Sequence, residues 1–589
     1  MSRTSRTARI VALAATAGAA LATASLPTTA SAQSIRSAPL QHIQLLSFND
    51  LHGNLDPLTG SSSRVTTGTN PDGTPAVTVV GGAEYLSTHL KQLRAGQRDS
   101  FTLTAGDNIG ASPLLSAAFH DEPTIQALNA MGVQLSAVGN HEFDEGYKEL
   151  FRIQKGGCIR DGVEGANNQN SCADKDNGGK RFRGADFDYL AANVELTATG
   201  EPILAATHVE KFHGGAKVGF IGVVTKTTPS IVTASGVKGL TFRDEATVIN
   251  KYAARLQAQG VQSIVAVLHE GGETTGSYNA CEGLSAPITT INANVTPAVD
   301  VLVTGHTHQA YNCKLDDPAG NKRLVVQAGN YGRFITDVDL VLDRRTGDVD
   351  RSATSAVNLL NSRDVAPDPA ITTILDRYRG YLGPIASRVL GYVDQDLTRS
   401  TSASGESQLG DVIADAAKAD PSVAGRGPVD IGFTNPGGIR SDLIDDDGKV
   451  TYGEAFSVQP FSNYVVSKTL TGVQVKAVLE QQFDNPQPGQ VRVLGVSGLT
   501  YSWSTSAPLG SKVSDIRVNG TPLDLGGSYR VAGNNFLLEG GDGFTTFADG
   551  ADPLYGGIDI DAFAAYLTAH SSPSSPFAVP ALDRITLLP

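Results

Sequence analysis

The sequence predicts a layered α/β domain over residues 40–355, followed by a second domain large enough for its own core. Three observations carry that expectation. Short β-rich apolar runs end at turn residues, helix-like stretches lie between them, and five of the runs are followed at once by residues of the kind that hold metal ions.

The runs are Ile43 to Phe48, Phe101 to Ala105, Gln134 to Val138, Ser263 to Leu268 and Val299 to Val303. Their shortness and bounding turn residues mark them as strands, and a near-continuous apolar run suits a strand covered on both faces. Leu114 to Met131 and Ala246 to Gln259 read as helices between them. Open α/β sheets place ligands beyond the carboxyl ends of their strands. The polar clusters fall there: Asp50-Leu51-His52, Gly106-Asp107, Gly139-Asn140-His141-Glu142, His269, and Gly305-His306-Thr307-His308.

Asp50 and His52 are two apart, which puts both on one face of an extended segment, and His306 and His308 repeat that spacing. Carboxylate oxygens mixed with imidazole nitrogens suit zinc, manganese or iron better than calcium, which prefers an all-oxygen shell. Asp107 has two oxygens and is suited to bridging two ions, as in two-metal hydrolases. Each pattern alone is a common loop feature. Five in order, each after a strand, point to one metal centre and to hydrolysis.

With these clusters the chain resembles the calcineurin-like metallophosphatases, and specifically the secreted bacterial 5'-nucleotidase family. The likeness is carried by F-N-D-L-H-G (48–53), A-G-D-N (105–108), G-N-H-E-F-D (139–144), L-H-E-G (268–271) and G-H-T-H (305–308), and it runs over nearly the whole chain beyond the leader. It implies a four-layer metallophosphatase β-sandwich flanked by helices, followed by a smaller α+β nucleotidase C-terminal domain. By the same resemblance Asp50, His52, Asp107 and His308 hold one divalent ion, and Asp107, Asn140, His269 and His306 hold the other. Zinc or manganese is the expected metal, with magnesium, iron or cobalt as alternatives. His141 and Asp144 match the family's catalytic pair. Physical reasoning agrees, because an imidazole not spent on metal can protonate a leaving oxygen, and a carboxylate three residues on can orient it; the competing reading makes Asp144 a helix cap and Asn140 and His141 a turn.

Composition fits export. Arg3, Arg6 and Arg9 precede an apolar run from Ile10 to about Leu26, and Ala30-Ser31-Ala32 reads as a cleavage site, so residues 1–32 are expected to be a signal peptide. Without them the chain carries 43 basic and 60 acidic residues, a balance of −17. Such a surface opposes binding of nucleic acid polymers and leaves a small nucleotide as the expected partner. No later apolar stretch is long enough for a membrane anchor, so a released, extracellular protein is expected. The sequence leaves the oligomeric state open, with a monomer as the working expectation. Four cysteines, Cys158, Cys172, Cys281 and Cys313, make an even count without a C-x-x-C pattern. Three pairings are open, and Cys158 with Cys172 and Cys281 with Cys313 is the expected one.

A change of character near residues 355–368 marks a boundary. The expected division is 40–355 for the metallophosphatase domain, 356–385 for a linker and hinge whose helix runs from Pro369 to Leu382, and 386–589 for the substrate domain. The second domain carries three loops: N-P-G-G-I-R (435–440), Q-P-F-S-N (459–463) and N-F-L-L-E-G-G-D-G-F (535–544). Glycine permits close backbone approach, arginine clamps anions and aromatic rings sandwich a flat base. The resemblance assigns Phe461 and Phe536 to the base, Asp542 and Asn463 to the nucleoside, and Asn435 and Arg440 to phosphate or ribose. Where relatives have an arginine before their N-x-G-x-L segment, this chain reads G-E-S-Q-L-G (405–410), which leaves Arg399 as the upstream substitute. The function implied is 5'-nucleotidase activity. UDP-sugar or 2',3'-cyclic nucleotide hydrolysis is the alternative on the same scaffold, and a non-catalytic nucleotide-binding protein is the remaining one.

Overall fold

The strand Leu40–Phe48 shows how the sequence builds the layers. Its side chains alternate between two cores, Ile43 and Leu45 on one face and Leu46 and Phe48 on the other. Such a strand must lie inside a stack, and it does. The computed structural model describes residues 40–159, 171–173, 181–444, 447–461, 463–483 and 491–589, so the expected signal peptide, 1–32, and most of the Cys158–Cys172 insertion lie outside the described residues.

Two sheets form a sandwich. In the first, Leu40–Phe48, Ser100–Thr104, Leu135–Ala137 and Asp188–Leu190 run parallel, extended antiparallel by Phe334–Asp343. In the second, Lys217–Val224, Ser263–His269, Val301–Thr304 and Lys322–Ala328 are parallel, with Thr207–Lys211 and Ala310–Asp316 as antiparallel edges. Ile43, Leu103, Val265, Val303 and Leu340 pack between the sheets. Each such side chain, withdrawn from water, contributes about 1.5–3 kcal/mol.

Helices cover both outer faces. Glu245–Ala258 and Ile288–Asn294 lie on the second sheet through Ile249, Leu256 and Ile291, while Ala83–Arg94, Glu122–Met131 and Tyr147–Lys155 lie on the first through Leu86, Leu128 and Leu150. The result is the expected four-layer arrangement. The helix expected over 114–131 is broken: Leu114–Ala117 and Glu122–Met131 are separated by His120 and Asp121, both in left-handed backbone (φ 50° and 58°). Pro123 explains the break, since it lacks the N–H that a continuous helix would bond to Phe119.

Residues 356–385, the expected linker and hinge, pack against the first sheet and its helices. Ser355–Leu360 pairs with Phe334–Asp343, and Pro369–Ala386 buries Ile371, Leu375, Tyr378 and Leu382 in the same core as the first sheet's helices. Asp368 caps that helix through Ala370 N and pairs with Lys91 at 2.5 Å.

Beyond it, a mixed sheet runs in the order Gly495–Ser497, Ile431–Thr434, Ser528–Asn534, Tyr464–Thr471 and Ala551–Ile558, with one parallel pair. Gln408–Ala419 and Asp559–His570 add Leu409, Val412, Phe563 and Leu567 to one core, and Gly472–Gln481 packs Val475, Val478 and Leu479 into another with Phe433 and Val531. Both disulfides have the expected pairing, Cys158–Cys172 and Cys281–Cys313. Among the described residues no helix is long and apolar enough to cross a membrane.

Candidate functional site

The carboxyl ends of Leu40–Phe48, Ser100–Thr104, Leu135–Ala137, Ser263–His269 and Val301–Thr304 meet at one rim, and the five clusters meet with them. Backbone bonds knit the loops: Asp50 N donates to Gly106 O at 3.0 Å, His52 N to Asp107 O at 2.9 Å, and His306 N to the Asp50 carboxylate at 3.0 Å. Asp50, His52, Asp107, His306 and His308 all adopt left-handed backbone (φ 51°, 46°, 49°, 74° and 59°). Each such non-glycine residue costs about 1–3 kcal/mol and persists only where its surroundings enforce it. Gly139 is needed for the approach, because a Cβ there would stand 2.1 Å from Asp107 Oδ1.

The donor atoms form two overlapping groups. His52 Nε2 is 3.2 Å from His308 Nε2, His308 Nε2 is 3.4 Å from Asp50 Oδ1, and His52 Nε2 is 3.6 Å from Asp107 Oδ2. On the other side His269 Nε2 is 3.0 Å from Asp107 Oδ2 and 3.1 Å from Asn140 Oδ1, and His306 joins Asp107 and His269 within ligand range. Ligands at about 2.0–2.2 Å from one ion stand roughly 3 Å apart, so the spacing fits. Ring orientation fits as well. His52 Nδ1 faces Gly110 O at 2.9 Å and His269 Nδ1 faces Ala105 O at 2.7 Å, which turns each Nε2 toward the cluster, the orientation of ligating histidines. Asp50, His52, Asp107, Asn140 and His269 are buried. Two buried carboxylates, an amide and four imidazoles make a donor set that suits divalent transition metals.

Burial opposes charge on Asp107, but the imidazoles of His269 and His141 outweigh it and hold the carboxyl well below its usual range. Burial holds His52 well below the usual imidazole value, in the neutral form that ligates. His141 is half tied to the same centre: its backbone N donates to Asp107 Oδ1 at 2.8 Å, while its Nδ1 lies 2.8 Å from Asp144 Oδ2. Burial works against protonation of His141, and Asp144 and Asp107 overcome it, raising its pKa.

Two supports escaped the sequence reading. Glu142 accepts from Gly139 N and Asp107 N with one oxygen (2.5 and 2.9 Å) and from Asn108 N with the other (2.9 Å), stapling two ligand loops. Asn49 holds Asp50 Oδ2 at 2.5 Å and is itself fixed by Ala328 N and Gly329 O. Glu142 stands within the G-N-H-E motif, but its three backbone donors come from two separate loops. Replacing it with glutamine leaves one acceptor oxygen for three donors. Glu142→Gln is expected to weaken metal retention about 10–100-fold in chelator competition; an affinity equal to the parent's would remove Glu142 from this role. A neighbouring cluster of His120, Glu145 and Glu149 is satisfied differently, because Arg152 binds both oxygens of Glu149 and Glu145 pairs with His120 at 2.6 Å.

A cavity of about 410 Å³ opens beside the centre. Asp107, Asn140, His141, Asp144, His306 and His308 line one side, and Asn435, Arg440, Phe461, Asn463, Phe536 and Asp542 line the other. The Phe461 ring lies 5.8 Å from the His141 ring at 24°, with the Arg440 guanidinium 5.7 Å from its centroid. Phe536 folds over Gly541, where a Cβ would stand 2.5 Å from its ring. Arg399 is the exception. It is not among the residues lining this cavity: its Nε bonds Asp442 at 3.3 Å and its Nη1 donates to Arg440 O at 3.0 Å, so it braces the Arg440 loop from the exposed side. The cavity's other guanidinium is Arg492, which the sequence reading did not single out.

Residues 43–310 match the calcineurin-like phosphoesterase family and residues 386–549 match the 5'-nucleotidase C-terminal domain. The chain is 32% identical over 548 residues to the protein named Endonuclease YhcR of Bacillus subtilis, covering 91% of this chain and 41% of that one. It is 34% identical over 538 residues to the cell wall protein Lmo0130 of Listeria monocytogenes, covering 86% and 64%. The chain thus spans less than two thirds of the length of these curated relatives. Among solved structures, the 5'-nucleotidase precursor of Thermus thermophilus superimposes with a TM-score of 0.72 at 26% identity, covering 93% of this chain and 99% of that one.

Proposed function

Because the chain belongs to the calcineurin-like phosphoesterases that carry a 5'-nucleotidase C-terminal domain, we propose that it is an exported, dinuclear-metal phosphohydrolase that removes phosphate from nucleotides. The observation that carries the reading is one cavity walled by metal-ligand side chains on one side and by Arg440, Phe461 and Phe536 on the other. A phosphate at the first wall leaves a flat base within reach of the second. Asp50, His52, Asp107 and His308 would hold one ion, and Asp107, Asn140, His269 and His306 the other. Two divalent ions, when bound, activate water and neutralise charge on the phosphoryl oxygens.

The chain's own groups do the rest. Asp144 holds His141 Nδ1, so Nε2 is the nitrogen that donates to a phosphoryl or leaving oxygen. Arg440 supplies positive charge at the phosphate, and the two rings hold the base by stacking. The division at 356–385 belongs to this reading, supported by sheets that share no strand across it among the described residues. Export is supported by the leader-like start, the two disulfides and a relative named for the cell wall.

Phe461→Ala and Phe536→Ala are each expected to lower kcat/KM for AMP by about 10–100-fold, with a much smaller loss for p-nitrophenyl phosphate, which has no nucleobase. Equal losses on both substrates would reject the stacking role. The name of the Bacillus relative favours a second reading, hydrolysis of nucleotide phosphodiesters. Assaying mono-, di- and cyclic nucleotides and UDP-glucose with manganese, zinc, magnesium and cobalt separates the two.

A further inference from the structure

A sixth loop reaches the rim. Gly329 to Arg333 joins Lys322–Ala328 to Phe334–Asp343 and carries none of the ligands assigned above. Its backbone is left-handed at Gly329, Tyr331 and Gly332 (φ 69°, 54° and 64°), a conformation that a tyrosine keeps only where its surroundings enforce it. Asn361 holds the loop from outside: its backbone N donates to Arg333 O and its Nδ2 to Gly332 O, both at 2.8 Å.

The loop touches the ligands of one group only. Tyr331 N donates to Asp50 O at 2.7 Å, and the Tyr331 ring stands edge-on to the rings of His52 and His308, with centroids 6.0 and 5.6 Å away. The buried Asn330 places Nδ2 3.1 Å from His308 Nδ1, while Arg333 Nη2 donates to Asn330 Oδ1 and so fixes the amide. Among the described residues the loop makes no hydrogen bond or ring contact with Asn140, His269 or His306. His308 depends on the brace most. Its side chain is 29% exposed, against 2% or less for Asp50, His52 and Asp107, and among the described residues Asn330 is the one group within hydrogen-bonding distance of its Nδ1.

We propose that Asn330 and Tyr331 are positioning residues for one ion alone, the one assigned to Asp50, His52, Asp107 and His308, and that they set its affinity without acting on the other. The inference rests on the dinuclear reading of the centre. A ligating imidazole is oriented by what its second nitrogen bonds, and outer partners of this kind govern metal affinity. Glu142 braces Asp107 and the Gly139 turn, and so bears on both ions. Asn330 reaches only His308, which makes the two ions unequal.

The test titrates the metal-stripped full chain with manganese, by calorimetry and by electron paramagnetic resonance, in the parent, Asn330→Ala, Tyr331→Ala and Tyr331→Phe. The parent should bind two equivalents. Asn330→Ala and Tyr331→Ala should each weaken one equivalent about 10–100-fold and leave the other unchanged, and Tyr331→Phe, which keeps the ring, should bind as the parent does. Double variants identify the ion: Asn330→Ala should cause no further loss beside His308→Ala and its full loss beside His306→Ala. Equal weakening of both equivalents, no weakening, or a loss undiminished beside His308→Ala overturns the proposal. If the parent binds a single equivalent that Asn330→Ala and His308→Ala weaken non-additively, the dinuclear reading fails and the bracing role stands. A parent that binds no manganese ends both.

Discussion

Asp107→Ala is expected to lose bound metal and to cut phosphate release by on the order of 10³-fold or more. Among the described residues Asp107 alone joins the two ligand groups, with Oδ2 3.0 Å from His269 Nε2 and 3.6 Å from His52 Nε2. Removing it would take away the one carboxylate common to both proposed ion sites and leave buried imidazoles without their acidic partner. The fold should survive, because the core between the sheets is built from side chains such as Ile43, Leu103 and Val265, not from Asp107. Elemental analysis of the folded variant decides the matter. Retention of two metal equivalents would show that Asp107 is not the shared ligand.

His141→Asn is expected to lower kcat by about 10²–10⁴-fold while metal content stays at the parent level. The two halves of that statement separate chemistry from ligation. Proximity alone permits His141 to ligate together with His52 and Asp107. Its Nδ1 is taken by Asp144 at 2.8 Å, however, and its ring lies along Phe461 on the substrate side. A loss of metal in step with activity would make His141 a ligand instead of a proton donor.

Much of the clustering of the candidate site was legible in the sequence. Asp50, His52, Asp107, Asn140, His269, His306 and His308 each follow a strand, and a strand's end is a local property marked by where the apolar run stops. Once the strands are parallel, their carboxyl ends must share a rim. The even cysteine count left three pairings open, and the structure holds the expected one, Cys158 with Cys172 and Cys281 with Cys313. The helix over 114–131 misled because its apolar pattern continues through residues where Pro123 and the left-handed Asp121 stop the backbone bonding. Arg399 misled for a different reason. Its distance in sequence from the motif says nothing about which side of the Arg440 loop it occupies.

The sequence by itself determined the layered order, the residue types of the candidate metal site and the presence of a second domain, because alternation, turn residues and strand-end clusters are written over a few neighbouring positions. Only the tertiary structure decided that Glu142 staples two ligand loops, that Ser355–Leu360 belongs to the first sheet, and that Arg492 rather than Arg399 faces the cavity. Each of those facts is a contact between segments far apart in the chain, such as Arg492 with Asp542 or Asp50 with His306. No local pattern encodes such a contact. It follows from how the packed layers bring their loops together.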